Sequence, residues 1–120
     1  MINIAVLQGN LTRDAETRTT TTGKTVTTFT LAVNRFKDGV DFINCVAWES
    51  IGETIARNTS KGTQITVAGR IQSRSFEDKA GQKRTVYEII VTDFSFCGKR
   101  EKQDVEQDFE EVGIEDGVPF

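Results

Sequence analysis

Val40-Asp41-Phe42-Ile43-Asn44-Cys45-Val46-Ala47-Trp48 decides the fold of this chain. A period of two places Phe42, Asn44, Val46 and Trp48 on one face and Ile43, Cys45 and Ala47 on the other, which is a strand. The period changes in the residues that follow. Ile51 and Ile55 share a face at i, i+4, and Ser50 with Glu53 three positions later forms a capping box, which together predict one helix. Lys61 and Gly62 read as its basic end and its C-terminal stop.

Outward from this segment the chain reads as β on both sides. Residues 2–8 predict a strand ending at Gly9, and a second part of the same strand runs through Thr12–Thr20. Thr21-Thr22-Gly23-Lys24 is a turn. In residues 26–36, Phe29, Leu31 and Val33 alternate with Thr28, Thr30 and Ala32, and Lys37-Asp38-Gly39 connects them to Val40 as a hairpin. After the helix come a strand over 64–76, a turn at Asp78-Lys79-Ala80-Gly81 and a last strand over 84–97. Counted this way, five strands carry one helix between the third and the fourth. That order is the layout of an OB-fold, an all-β, five-stranded, partly open Greek-key barrel.

Charge divides the chain unevenly. Residues 1–100 hold 14 Lys and Arg against 10 Asp and Glu, whereas residues 101–120 hold one Lys against eight acids. The overall net charge of −3 hides this split. A slightly basic body fits a polyanion, and an acidic tail offers itself to another partner. The expected organisation is a folded domain over 1–99 and a disordered acidic tail over 100–120. No apolar run approaches the roughly 20 residues of a membrane span, and the first residues lack a signal-peptide pattern, so the chain reads as cytoplasmic. Cys45 and Cys97 stand 52 residues apart with no CxxC, and the chain has no His. They read as two buried free thiols, with no metal or cofactor site and no His-based acid–base chemistry.

The residues that carry function are aromatic and basic. Phe42 and Trp48 share one face of their strand. Spacing alone leaves two readings: burial on both sides of the sheet, or exposure of these two rings while the small residues face the core. Phe36 and Phe76 lie at strand tips, where there is little core to fill. Exposed rings of this kind stack bases of a single strand, because every base has a π-face. Phe29, Phe94 and Phe96 read as core or subunit interface. Arg13, Arg18, Lys24, Arg35, Arg70, Arg74, Lys83 and Arg84 interleave with the rings and are candidate phosphate contacts. Gly23-Lys24-Thr25 resembles the end of a phosphate-binding loop, but position 18 is Arg where that loop needs Gly, and a strand follows where it needs a helix.

Several segments in order give the chain a family resemblance. These are Val6-Leu7-Gln8-Gly9-Asn10-Leu11-Thr12-Arg13-Asp14, Phe29-Thr30-Leu31-Ala32-Val33-Asn34-Arg35, Asp41 through Trp48, Lys61-Gly62, Gly69 through Phe76, and Tyr87-Glu88-Ile89-Ile90-Val91. The chain resembles the bacterial-type single-stranded DNA-binding proteins over about residues 1–97 and again at its final residues. The resemblance implies an OB-fold homotetramer that binds single-stranded DNA without sequence preference in replication, recombination and repair. It implies no enzymatic activity and an association with the nucleoid. It assigns base stacking to Phe36, Phe42, Trp48 and Phe76. It also assigns docking of replication, recombination and repair proteins to a tail hook matching Glu115, Asp116, Val118, Pro119 and Phe120. The linker before this hook is short and lacks the family's Gly/Gln/Pro-rich stretch, and Gly117 interrupts the acidic run. A competing reading is an OB-fold protein–protein adaptor of a primosome or recombination complex, with Phe42 and Trp48 buried in a partner.

Overall fold

The computed structural model describes residues 1–97. The tail, with Glu115, Asp116, Val118, Pro119 and Phe120, lies outside the described residues, as do the last two positions of the expected 1–99 domain. Six strands and one helix follow in the order β1 (Ala5–Leu11), β2 (Glu16–Thr19), β3 (Thr25–Asn34), β4 (Val40–Trp48), α1 (Glu49–Asn58), β5 (Gln64–Glu77) and β6 (Lys83–Phe96). No helix among them is long and apolar enough to cross a membrane.

The sheet runs β1-β5-β6-β4-β3-β2, and an additional pairing of β1 with β3 closes it into a barrel. β1 pairs antiparallel with β5 from Ala5↔Gly69 to Asn10↔Gln64, then meets β3 at Asn10↔Ala32 and Leu11↔Leu31. On the far side, β4 and β6 pair parallel at Asn44↔Glu88, Cys45↔Ile89 and Val46↔Ile90. This is the expected OB-fold barrel. The predicted first strand is present in two pieces, because β2 continues β1 along β3. Between them residues 12–15 lie opposite only Phe29 and Thr30, so the strand bulges. The first piece also starts later than predicted and runs through Gly9 to Leu11.

The core follows from alternation. Leu11, Phe29, Leu31, Cys45, Ala47, Ile65, Val67, Ile89 and Val91 face inward, and Ile55 of α1 closes one end. Phe94 and Phe96 pack against this core as an edge-on pair with centroids 5.2 Å apart. Burial pushes the Cys45 thiol up to about 12, which leaves it unreactive. Cys97 is only half-buried, against expectation. Its sulfur accepts a hydrogen bond from Gln8 Nε2 at 3.3 Å and lies 3.6 Å from Thr66 Oγ1.

Both predicted signals at the helix ends are displaced. Trp48, not Ser50, is the N-cap, and no side chain caps the helix. Glu53 instead accepts the Thr25 hydroxyl at 2.7 Å. A tertiary partner on β3 has taken the carboxylate that the capping box needs. The helix ends at Asn58 with Thr59 as its C-cap, while Gly62 sits in the next turn at φ 90°, where Thr63 N–H donates to Ser60. The last helical carbonyls are met by side chains: Asn58 Nδ2 donates to Thr54 and Thr59 Oγ1 to Ile55.

Gly52 is where α1 meets the barrel. A Cβ there would fall against the Ala47 carbonyl oxygen and 2.7 Å from Thr27 Oγ1. Alanine in an exposed helix would gain about 1 kcal/mol over glycine. Overpacking against backbone costs about 1–3 kcal/mol. Gly52→Ala is therefore expected to lower stability in urea unfolding. Equal or greater stability would show that α1 does not sit this close.

Candidate nucleic-acid interface

Register places the outward residues of five strands on one continuous face. One row runs Glu16, Thr28, Val46, Ile90, Arg70, and the next runs Thr30, Asn44, Glu88, Gln72. Arg18, Val26 and Trp48 form a third row beside them. By alternation Phe42 joins Asn44 and Trp48, and Arg74 and Phe76 join Gln72. Arg84 lies opposite Phe76 on the same face.

The open question about β4 is resolved by burial. Phe42 is 67% exposed and Trp48 41%, while Cys45, Val46 and Ala47 between them are buried. Val46 is covered in a small cluster with Val26 and Ile90, so the face has an apolar floor beneath its rings. Phe36, on the β3–β4 loop, is 97% exposed and Phe76 41%. All four predicted rings therefore reach solvent. Phe29 is buried in the core, and Tyr87, which alternates with Glu88 along β6, is exposed.

The basic residues separate into two groups. Arg13, Arg18 and Arg74 line one cleft of about 240 Å³ over the β2–β3–β4–β6 face, together with Thr28, Thr30 and Asn44. Arg13 gets there because the 12–15 bulge folds back, held where Asp14 Oδ1 accepts the Lys61 N–H at 2.8 Å. Lys24, Arg35, Lys83 and Arg84 lie on turns or strand tips outside the cleft, and Arg70 is at the far end of the row of Thr28 and Val46 without lining it. Three carboxylates share the cleft with its arginines: Asp14, Glu16 and Glu88.

Three of the candidate phosphate contacts are already paired with carboxylates. Arg35 donates from Nε and Nη2 to Asp41 Oδ1, at 3.1 and 2.9 Å. This hydrogen bond lowers the Asp41 carboxyl below its ordinary value. Arg74 Nη2 meets Glu88 Oε2 at 2.8 Å, and its guanidinium carbon lies 5.6 Å from the Phe76 ring centre. Arg84 Nε meets Asp78 Oδ2 at 2.7 Å. Arg70 makes only a long contact to Gln72, at 3.4 Å. Arg13, Arg18, Lys24 and Lys83 have no ion pair among the described residues.

The carboxylate partners Asp41, Asp78 and Glu88 are absent from the candidate residues read from the sequence. A turn centred on Lys79-Ala80-Gly81 makes Glu88 the diagonal cross-strand neighbour of Arg74, so the hairpin register carried that signal.

A family model described as the single-strand binding protein family matches residues 2–97. The chain belongs to this family. A single-stranded DNA-binding protein of Enterococcus faecalis is 45% identical over 106 residues, 83% of this chain and 56% of its own length. Single-stranded DNA-binding protein 4 of Streptococcus agalactiae is 46% identical over 107 residues, 84% of this chain and 78% of that protein. A Streptococcus mutans relative is 44% identical, with 65% of its length covered. The chain thus spans little more than half of the first relative. Family membership fits the barrel, the outward rings and the cleft on one face.

The hairpin tip that carries Phe76 and Arg84 is ordered by Asp78. Its Oδ1 accepts the Ala80 and Gln82 N–H groups, at 3.0 and 2.9 Å, while Oδ2 holds Arg84. The Arg84 bond first, and then the backbone N–H groups, hold this carboxyl below its ordinary value. A depressed carboxyl stabilises the tip above the unfolded value of about 3.9 and stops doing so as pH falls through the lower, folded value. The Ala80 and Gln82 amides are expected to keep their protection from exchange at pH 4 and to lose it only at more acidic pH. Loss of protection already above pH 4 would contradict the turn's dependence on ionised Asp78.

Proposed function

We propose that this chain binds single-stranded DNA without sequence preference, and that it does so as a protein of replication, recombination and repair with no catalytic step. The observation that carries the reading is the exposure of Phe36, Phe42, Trp48 and Phe76 around a polar, arginine-lined face of an OB-fold barrel. Large rings left in water are free to stack on bases, and a duplex cannot offer its bases because they are already stacked. Arg13, Arg18, Lys24, Arg70 and Lys83 supply phosphate contacts; Arg35 can exchange the exposed Asp41 for phosphate at little cost, and Arg84 can leave Asp78, which keeps its backbone N–H donors. The names of the relatives support the ligand class.

The assembly we propose is a homotetramer. β1 meets β3 only at Asn10 and Leu11, so Ala5–Gln8 present an edge without a strand partner among the described residues. Ile4 and Val6 are exposed beside that edge. An open edge flanked by apolar side chains favours addition of a second copy. The acidic residues of 101–120, ending in the Val118-Pro119-Phe120 hook, are read as the docking segment for partner proteins. Their charge also lets them compete with DNA for the basic groups.

Titration with oligo-dT, followed by the fluorescence of the single Trp, tests the reading. Strong quenching by oligo-dT but not by duplex is expected, and Phe42→Ala should weaken binding by about 1–3 kcal/mol. Removing residues 101–120 should tighten binding at low salt. A blue-shifted emission untouched by DNA would instead favour the adaptor reading, with the rings reserved for a protein partner.

Sedimentation tests the assembly. A species of about four times the 13.4 kDa chain is expected, and Val6→Glu should shift it to smaller forms. An unshifted tetramer would move the interface away from β1.

A further inference from the structure

The cleft contains a carboxylate that a DNA-binding face does not need. Glu88 stands in the middle of the outward rows, between Asn44 on β4 and Gln72 on β5. Its side chain is 12% exposed, against 22% for Asp78 and 48% for Asp41, the other two paired carboxylates. Both of its oxygens face Arg74, Oε2 at 2.8 Å from Nη2 and Oε1 at 3.5 Å from Nε. The same guanidinium reaches over Phe76.

Geometry makes Arg74 different from Arg35 and Arg84. An ion pair in water exchanges readily, because either member is resolvated when the other leaves. A sheltered carboxylate has no such replacement, so removing its cation leaves an uncompensated charge. A phosphate that recruited Arg74 would strip Glu88 and place a second anion beside it. A planar guanidinium is also suited to holding a carboxylate with its edge while its face lies on a ring. Arg74 meets both conditions at once.

We propose that Glu88 is a built-in counter-anion that keeps Arg74 off the DNA backbone and holds it against Phe76. Arg74 then shapes the stacking site from one side and leaves the other face of the ring for a base. Glu88 is a positioning residue, and it lowers the number of phosphates the face neutralises by one. The inference rests on the single-strand-binding reading above.

The test is the salt dependence of oligo-dT binding by the full chain, measured by fluorescence anisotropy for four proteins: wild type, Glu88→Gln, Arg74→Gln and the double variant. Each phosphate contact on a single strand adds about 0.7 to the slope of log K against log salt. Glu88→Gln is expected to steepen the slope by about 0.7 and to bind more tightly than wild type at low salt. The double variant is expected to return to the wild-type slope, and Arg74→Gln alone to weaken binding with the slope unchanged. A slope flattened by about 0.7 in Arg74→Gln alone would overturn the proposal, since Arg74 would already be on a phosphate. Weaker binding with an unchanged slope in Glu88→Gln would overturn it as well, leaving Glu88 a purely structural role. Absence of binding by the wild type would overturn the underlying reading instead.

Discussion

β1 holds two neighbours at once, and the rest of the molecule depends on it. Along most of its length it is bonded to β5, and at Asn10 and Leu11 it turns to β3. Leu11 is further tied by its N–H to Thr63 and by its carbonyl to Gly62, and Thr12 N–H reaches Thr30. Gly9 makes the crossing possible: a Cβ there would stand 2.6 Å from the Ala32 carbonyl oxygen. Without these few bonds the six strands form an open sheet with two faces. With them, alternate residues become inside and outside. The inside is small and is filled by Leu11, Leu31, Cys45, Ala47, Ile65, Val67, Ile89 and Val91. Phe42, Trp48 and Phe76 alternate away from that core and have no place within it. Their exposure is a consequence of closure, and the function drawn from them rests on the same few backbone bonds.

Closure also decides what the charges can do. By composition the first hundred residues are mildly basic. On the folded surface that excess is partly spent internally, since Arg35, Arg74 and Arg84 each hold a carboxylate. The cleft itself balances Arg13, Arg18 and Arg74 against Asp14, Glu16 and Glu88. A face of this kind has no strong positive field of its own. With charge balanced in the cleft and the rings left in water beside it, the proposed function rests more on stacking than on Coulomb attraction in the choice of ligand. This matches a ligand whose bases are accessible better than one that offers only a phosphate surface.

The strand order and the single helix were readable because they depend on local periodicity: alternation from Val40 to Trp48, then i, i+4 spacing at Ile51 and Ile55. The four exposed rings were readable in part, since tips such as Phe36 have no core to enter. Phe42 and Trp48 were undecidable from spacing, because both faces of β4 carry apolar residues and only closure picks one. The capping box failed for a related reason. The helix starts at Glu49, earlier than Ser50 implies, and Glu53 accepts from Thr25 of β3, a partner that no local pattern announces. The ion pairs of Arg35 and Arg84 span six residues across a turn. They required the turn geometry as well as the residue types. Glu88 required the full hairpin register.

Trp48 shows how much a tight connection constrains a side chain proposed to stack on bases. It is the last residue of β4, paired with Val26, and also the N-cap of α1, with extended backbone at φ −99° and ψ 146°. No linker separates strand from helix, so the change of direction falls on one residue. Glu49 takes it, at φ 54°, a region that non-glycine residues enter at a cost of about 1–3 kcal/mol. Its carboxylate lies 3.4 Å from both the backbone N–H and the hydroxyl of Thr25. The helix it starts is anchored by Ile55 in the core and by the close approach of Gly52 to Ala47. These contacts offset the strain and fix the backbone on both sides of the ring. A longer, relaxed connection would remove the strain and let Trp48 swing. A ring held from both sides has little backbone freedom left to lose, so under the proposed function more of the stacking energy would remain as affinity.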